Sequence, residues 1–359
     1  MGTKTAADFD PVLLARPNII ELTPYSSARD EYSSSANVFL DANENSLGSP
    51  TRERYNRYPD PRQTRLKQKI AGLENVPAER IFIGNGSDEP IDLLFRVFCR
   101  PGIDNCVICP PTYGMYAVSA AINDVEVRKA PLTREFELDT ASVIGKSDAG
   151  TKLVFICSPN NPTGNSMDTG SVIELADSLN ALIVVDEAYI HFSSQRSIAG
   201  EIAERPNIVV LRTFSKAWGL AGLRIGTAFA DLRIVELLNK VKPPYNVSDA
   251  AQNEALEAIR NESAVRAMVE SLIVLRAALK TGLEDLALTE RVFPSDANFL
   301  LVKMARPRDV YEHLIARGIV VRDRSRVELC EGCLRITVGT EAENRELLSA
   351  LAEYTEETE

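Results

Sequence analysis

The chain has 359 residues, of which 45% are hydrophobic and 25% are charged. This composition is typical of globular proteins with a sizeable core, and the length predicts about two domains. The formal net charge of -11 disfavours binding to nucleic acid or to an anionic membrane surface. No apolar run approaches the roughly 18 residues that cross a bilayer, and the first residues lack the apolar segment of a signal peptide. We therefore expect a cytoplasmic protein.

Six cysteines include two pairs with the C-x-x-C spacing of some metal sites, Cys106 with Cys109 and Cys330 with Cys333. The first pair lies in an apolar run that predicts a buried strand, where cysteine behaves as a small hydrophobic residue. Because the chain has only two histidines, a Cys/His zinc site has few ligands to draw on. We expect structural thiols and no metal site.

The first part of the chain, residues 1–50, predicts an extended N-terminal arm with few elements. From residue 64 onward, short apolar runs alternate with helical patterns. The apolar runs are 81–84, 105–109, 152–157, 181–185 and 207–211, and the helical patterns include 64–73, 91–98 and 170–180. Strands that are apolar throughout and alternate with helices predict a mostly parallel sheet with helices on both faces.

The last third of the chain has a different pattern. A long helical stretch is predicted over 248–286, with Ser248 as its N-cap and a break near 260–263. A strand at 298–304, a helix and strand within 310–323, and a strand at 333–339 follow. The sequence therefore predicts an α/β fold. Its large domain would comprise residues 51–260, and residues 261–359 with the arm would form a smaller α+β domain.

A polar cluster follows each of the five apolar runs of the large domain. The clusters, in chain order, are GNGSDE, PPTYGMY, SPNNPTG, DEAY and RTFSKAWGLAGLRIG. In an open α/β sheet, ligands bind at the carboxyl ends of the strands. The five clusters therefore predict one site, and their residue types suit a phosphorylated pyridine aldehyde.

The first two clusters suit the phosphate and the ring of such a molecule. Gly86, Ser87 and Asp88 open a helix, so backbone N–H groups and the helix dipole favour a phosphate there. The alternative is an ordinary capped turn. Tyr113 suits a planar ring that stacks on its side chain, and the alternative is packing within its loop.

The next two clusters suit the polar atoms of the ring. Asp186 ends a strongly apolar strand, and a buried carboxylate is costly unless it meets a cation such as a pyridinium N–H. The alternative is a cap of the following helix. Tyr189 and the amide of Asn161 suit donation to a phenolate oxygen.

The last cluster contains Lys216 among small and apolar neighbours, where a solvated surface lysine would be out of place. A desolvated lysine beside other cations has a lowered pKa and becomes an imine-forming nucleophile. Thr213, Ser215 and Arg224 are expected to complete the phosphate site.

Taken together, these motifs resemble the aminotransferases of pyridoxal-phosphate fold type I. The matching motifs are CPPTYGMY, CSPNNPTG, DEAY, T-x-S-K-A-x-x-L-A-G-L-R and GCLRITVG. The likeness includes DANEN (41–45), and the motifs LTPY (22–25), NRYPDP (56–61) and LRITVG make the chain similar, more narrowly, to the histidinol-phosphate aminotransferases. The resemblance runs in order from Leu22 to Thr340. The stretch between DANEN and NRYPDP is short for this family, so the entrance built there is expected to differ.

The resemblance implies further residue roles. Tyr58 would reach the cofactor phosphate of a neighbouring subunit, which implies a homodimer. Arg335 would bind the acidic group of the substrate. Arg322, with Tyr25 and Asn43 of the arm, would complete the substrate site. The alternative for either arginine is a surface salt bridge.

The resemblance also implies a reaction and a cofactor. Pyridoxal 5'-phosphate would be held as an imine on Lys216, with Asp186 and Tyr189 as the other catalytic residues. Histidinol phosphate and 2-oxoglutarate would be interconverted with imidazole-acetol phosphate and glutamate in ping-pong fashion, as part of histidine biosynthesis. Two alternatives share the scaffold, an aromatic amino-acid aminotransferase and a decarboxylase of a phosphorylated amino acid.

Overall fold

The computed structural model describes residues 9–31 and 37–358. The predicted arm is thus described in part, and its residues 1–8 and 32–36 lie outside the described residues. In the described part, the arm contains a 3-10 helix, Pro11–Leu14, and two short helices, α1 (Pro17–Ile20) and α2 (Ala28–Glu31). The N-terminal arm as a unit stays a prediction.

A seven-stranded sheet forms the centre of the molecule. Its strands are β1 (Ile81–Asn85), β2 (Asn105–Ile108), β3 (Glu126–Lys129), β4 (Thr151–Cys157), β5 (Leu182–Asp186), β6 (Ile208–Thr213) and β7 (Ile225–Phe229). They lie in the order β1-β7-β6-β5-β4-β2-β3. Strands β3, β2, β4, β5 and β6 pair in parallel, and β7 is antiparallel to both β6 and β1. The predicted mostly parallel sheet is confirmed.

Strands β3 and β7 were not predicted. The residues of β3 are charged and part-exposed at the sheet edge, so they lack an apolar run. The residues of β7 follow Arg224 directly, with no turn residue to separate them from the preceding polar cluster.

Helices cover both faces of this sheet. They are α3 (Thr64–Glu74), α4 (Asp88–Phe98), α5 (Met115–Ile122), α6 (Thr140–Lys146), α7 (Thr169–Ser178), α8 (Leu232–Val241) and α9 (Asp249–Arg260), with 3-10 helices at Ala78–Arg80, Ile190–Phe192, Ile198–Ala203 and Ala221–Leu223. Consecutive strand residues point to opposite faces, so Val154 and Phe155 belong to two separate hydrophobic cores. Because both faces are buried, the strands are apolar throughout.

A second sheet lies in the last third of the chain. Its elements are α10 (Glu262–Glu284), β8 (Thr289–Val292), β9 (Phe299–Met304), α11 (Pro307–Ala316), β10 (Arg322–Asp323), β11 (Cys333–Thr337) and α12 (Glu341–Thr358). The four strands are antiparallel, in the order β10-β11-β9-β8. The Ser248 hydroxyl accepts from Ala251 N at 3.2 Å, which confirms the predicted N-cap. The predicted break is also confirmed, since α9 ends at Arg260 and α10 begins at Glu262.

One hydrophobic cluster connects the two sheets. It contains Ile183 of the large sheet, Val265 of α10 and Phe299 of the small sheet. The division into domains at residue 260 therefore stays a prediction. Within the described residues, no helix is both long and apolar enough to cross a membrane.

Candidate active site

A cavity of about 760 Å³ opens at the carboxyl ends of the parallel strands, facing the small sheet. Twelve of the sequence-predicted site residues line it. They are Ser87, Asp88, Tyr113, Asn161, Asp186, Tyr189, Thr213, Ser215, Lys216, Arg224, Arg322 and Arg335. The polar clusters that follow β1, β2, β4, β5 and β6 thus meet in one place.

The predicted phosphate end depends on close backbone approaches. Gly86 has a φ of +72°, and a Cβ there would lie 2.6 Å from Nη2 of Arg224. A Cβ on Gly226 would lie 2.2 Å from the backbone N of Ser87. Only glycine fits at these two positions, because a side chain would push the Gly86–Ser87 backbone away from β7 and from the arginine.

The hydrogen-bond donors of this end are connected to one another. Arg224 Nη1 donates to Ser215 Oγ at 3.2 Å, and Ser215 N donates to Thr213 Oγ1 at 3.1 Å. Arg224 Nη2 lies 3.4 Å from Asp88 Oδ2 at the start of α4. A helix N-terminus, two hydroxyls and a guanidinium form the donor set that a phosphate takes in proteins.

Asp186 is a buried carboxylate at the end of β5, with 3% of its surface exposed. Burial raises its pKa to about 6, although hydrogen bonds from Tyr116 and from the backbone of Ala188 lower it. The Tyr116 hydroxyl donates at 2.8 Å, and Ala188 N donates at 3.1 Å. In the described part of the chain, no cation lies within ion-pair distance of Asp186, so this anion lacks the partner that would offset its desolvation.

The bond from Ala188 bears on the alternative interpretation of Asp186 as a cap. It closes a local turn at the strand end, and the following 3-10 helix has Tyr189, not Asp186, at its N-cap. The carboxylate therefore does not cap that helix.

Lys216 reaches into the cavity from the loop after β6. Its Nζ lies 5.6 Å from the centre of the Tyr189 ring. Desolvation lowers the pKa of Lys216, as do the charges of Arg335 and Arg224, while Asp186 acts in the opposite direction. A lowered pKa increases the fraction of the neutral, nucleophilic amine at neutral pH.

Arg335 extends from β11 of the small sheet towards the large one. Its Nη1 donates to Oδ1 of Asn161 at 2.5 Å, and its guanidinium lies 5.3 Å from the centre of the Phe299 ring. The Nε atom is buried and has no hydrogen-bond partner. Asn161, which was expected at the ring oxygen of a cofactor, is bonded to this arginine in the structure.

Three sequence-predicted residues of the arm region lie away from the cavity. Tyr25 is 76% exposed and Tyr58 is 50% exposed. The Tyr58 ring stacks on Tyr245 with 4.4 Å between the ring centres. Asn43 is also exposed, with a φ of +55°. Within one chain, these side chains do not join the residues of the cavity.

Sequence reasoning missed two residues of the site. Tyr116 lies in the first turn of α5, three residues after Tyr113, and is fully buried against Phe155. Arg324 lines the cavity two residues after Arg322. Arg324 lies just after β10, which has only two residues, so no alternating run of residues indicated its position.

All six cysteines, which fall within the described residues, are buried and free of disulfides. Burial raises the pKa of Cys330 to about 12 and that of Cys333 to about 11. In the described ranges, no group of three or more His, Cys, Asp or Glu residues is arranged to hold a metal ion.

Comparison with known protein families identifies the scaffold. The family model for aminotransferase class I and II matches residues 31–351. The chain belongs to this family. A histidinol-phosphate aminotransferase from Cytophaga hutchinsonii is 50% identical, over 97% of this chain and 100% of that protein. One from Parabacteroides distasonis is 49% identical, over 94% of this chain and 97% of that protein.

The fold is also that of a solved relative. The crystal structure of histidinol-phosphate aminotransferase from Sinorhizobium meliloti, in complex with pyridoxal-5'-phosphate, superimposes with a TM-score of 0.79 at 22% identity. The match covers 96% of this chain and 98% of that one. The resemblance found in the motifs is therefore confirmed. The roles of individual residues stay predictions.

Proposed function

We propose that this aminotransferase interconverts histidinol phosphate and 2-oxoglutarate with imidazole-acetol phosphate and glutamate, using pyridoxal 5'-phosphate, in histidine biosynthesis. One observation carries the proposal. Among the described residues, a buried carboxylate without an ion-pair partner, a lysine of lowered pKa and a set of phosphate donors line one cavity, with arginines on its other side. The named relatives at 49–50% identity support the choice of substrate.

The residues fit the cofactor at both of its ends. Asp186 would hold the protonated ring nitrogen, which supplies the positive charge that this buried anion lacks. The N-terminus of α4 at Gly86, Ser87 and Asp88 would hold the phosphate. Thr213, Ser215 and Arg224 would add their donors there. When bound, the cofactor supplies an electron-accepting ring that stabilises negative charge at the reacting carbon.

The other groups on the large-sheet side would orient the ring and move the proton. Lys216 would carry the cofactor and, once displaced by the substrate amine, transfer a proton at the substrate carbon. Tyr189 and Asn161 would donate to the ring oxygen, and Tyr113 would stack on the ring. The lowered pKa of Lys216 suits both of its tasks, because a general base works best with a pKa near the operating pH.

Arg322 and Arg335 would bind the anionic end of each substrate. A planar guanidinium accommodates phosphate and carboxylate alike, so the same pair could serve both half-reactions. The expected ping-pong kinetics follow from this sharing, since the amino donor must leave before the keto acid enters.

We also infer a homodimer in which Tyr58 reaches the partner's cofactor phosphate and Tyr25 and Asn43 complete the substrate site. The exposure of the arm supports this inference. Leu40 is 83% exposed and Leu47 is 98% exposed, close in sequence to these residues. Apolar side chains exposed in one stretch are typical of a surface that another protein covers. The cytoplasm stays the predicted compartment.

Substrate profiling tests the proposal. Purified protein should transaminate histidinol phosphate with a higher kcat/KM than phenylalanine or tyrosine. Amine transfer to 2-oxoglutarate should account for all product, with no carbon dioxide released from phosphorylated amino acids. A preference for the aromatic amino acids, or decarboxylation, would favour the alternative enzymes on the same scaffold.

A further inference from the structure

The pairing of β10 with β11 brings three arginines to one face of the small sheet. Arg322 lies directly opposite Arg335 in the antiparallel register. Arg324 N donates to the carbonyl of Cys333 at 2.9 Å, which continues the pairing by one residue beyond Asp323. Because side chains two apart along a strand share a face, Arg324 projects to the same side as Arg322. All three arginines line the cavity.

No carboxylate of the described residues forms an ion pair with these arginines, although the charge of the nearby Asp323 raises the pKa of Arg324. Arg335 bonds to the amide of Asn161, and Arg324 Nη1 lies 3.4 Å from the backbone carbonyl of Asp323. The carboxylate of Asp323 accepts from Ser325 N instead. Like charges placed opposite each other destabilise a sheet, so a bound anion would stabilise this arrangement by offsetting the repulsion.

The charges also act on one another. Burial lowers the pKa of Arg324, and the neighbouring Arg335 and Arg322 lower it further. Burial likewise lowers the pKa of Arg335, with Arg322 again in the same direction. In a chain with 51 acidic and 40 basic residues, three neighbouring arginines that form no ion pair with a described carboxylate are a local excess of positive charge.

We propose that Arg324 is a third anion-binding residue that selects a doubly charged phosphate over a singly charged carboxylate at the substrate's far end. This inference rests on the proposed function. A phosphate monoester has about two negative charges near pH 7 and three acceptor oxygens, whereas a carboxylate has one charge and two oxygens. One bidentate guanidinium binds both oxygens of a carboxylate. A further arginine therefore strengthens the binding of a phosphate more than that of a carboxylate.

The turn that follows β10 provides a matched control. Arg326 lies two residues after Arg324, but it is exposed and does not line the cavity. Arg324→Gln and Arg326→Gln each remove one positive charge from this turn. Any change caused by net charge or by loosening of the turn should appear in both variants, and a change caused by contact with the substrate should appear only in the first.

Steady-state kinetics of the holoenzyme give the main test. We expect Arg324→Gln to raise the KM for histidinol phosphate roughly tenfold or more, the usual loss for a charge-assisted hydrogen bond. The KM of Arg324→Gln for 2-oxoglutarate should change by less than about twofold. In Arg326→Gln, the KM values for histidinol phosphate and for 2-oxoglutarate should both change by less than about twofold, because exposed charges contribute little. Arg324→Lys, which keeps the charge but not the planar fork, should lie between wild type and Arg324→Gln.

Binding without turnover separates this inference from the proposed function. Calorimetry of the holoenzyme with propyl phosphate and with butyrate should show that wild type prefers the phosphate and that Arg324→Gln loses most of this preference. Equal weakening for both probes, or no change for either, would overturn the role of Arg324. Wild type that binds propyl phosphate but does not transaminate histidinol phosphate would instead overturn the proposed substrate and leave the role of Arg324 intact.

Discussion

The two sides of the cavity differ in how their polar groups are satisfied. On the large-sheet side, the groups bond to one another. Tyr116 donates to Asp186, Tyr113 donates to Asp88 at 3.0 Å, and Arg224 donates to Ser215. On the small-sheet side, three arginines line the cavity without an acidic partner among the described residues, and the Nε of Arg335 is buried and unbonded.

This difference fits two kinds of ligand. A side that is already bonded is rigid before anything binds, which suits a cofactor that stays in place and must be held in one orientation. A side with uncompensated positive charge suits an anion that enters and leaves in each cycle. Substitutions on the large-sheet side should therefore be tolerated least, and they should lower turnover. Substitutions on the small-sheet side should change the preference among substrates.

The largest effect is expected at Lys216. Lys216→Ala removes the amine that we propose carries the cofactor and moves the proton, so turnover should fall at least roughly thousandfold. The phosphate donors are untouched, and cofactor binding should persist. Borohydride treatment of wild type should fix the cofactor covalently to the peptide that contains Lys216. Label on any other lysine would contradict this role.

Asp186→Asn should have the next largest effect. Asparagine keeps the shape of the side chain but removes the charge that we propose keeps the ring nitrogen protonated, so turnover should fall about a hundredfold or more. Cofactor affinity should fall much less. Asp168→Asn is the control, because Asp168 caps α7 through Ser171 N at 2.7 Å and lies outside the cavity. Near-normal turnover of Asp186→Asn would make this residue a structural group only.

The sequence predicted the large-sheet side better than the rest of the cavity, and the reason is geometric. Each residue named there lies in a polar cluster that follows a strand, and the carboxyl ends of parallel strands meet at one edge whatever the packing of the helices. Tyr116 escaped prediction because its contact with Asp186 depends on how α5 packs against the sheet. Arg324 escaped prediction because its position depends on a strand pair, β10 with β11, that includes a strand of two residues.

The arm shows a different limit of sequence reasoning. Motifs marked Tyr25, Asn43 and Tyr58 as site residues, but nothing in one chain brings them to the cavity. Their predicted role requires a second copy of the chain. The predicted third part of the site, which a partner subunit would supply, therefore needs a separate test.

Complementation tests this shared site. Lys216→Ala and Tyr58→Ala should each be impaired alone, the second by roughly ten- to a hundredfold. After the two are mixed and allowed to exchange subunits, half of the dimers should be mixed, and each should contain one intact site. Activity should then recover to about a quarter of wild type, as expected for a symmetric dimer with random pairing. Tyr58 acting within its own subunit would give no recovery.

The smallest expected effect concerns Tyr116 and pH. Because burial raises the pKa of Asp186 to about 6, the folded apoprotein holds a proton there that the unfolded chain has released. Between pH 3.8, the pKa of the unfolded chain, and about pH 6, the unfolded chain releases this proton and the folded chain keeps it. The stability of the apoprotein therefore falls as the pH rises through this range. The cofactor's cationic ring nitrogen needs the ionised form, so cofactor affinity should rise with pH through about 6.

Tyr116→Phe removes the hydroxyl that stabilises this carboxylate and leaves the ring packed on Phe155. The pKa of Asp186 should rise further, and the midpoint of cofactor retention should move upward by roughly one pH unit, about the effect of one hydrogen bond to a charged group. Above pH 8, both proteins should hold the cofactor equally, since Asp186 is ionised in both. The measurement is cofactor retained after dialysis between pH 5 and 8.5.

Tyr113→Phe is the matched control, because its hydroxyl donates to Asp88 and not to Asp186. The charges of Lys216 and Asp88 act on Asp186 in both variants, and the thiol of Cys157 and the phenol of Tyr189 face it in both. A shift caused by the Tyr116 hydrogen bond should thus appear in Tyr116→Phe alone. Equal midpoints in the two variants would mean that the large-sheet side owes its rigidity to packing, and that its hydrogen bonds do not tune the charge of Asp186.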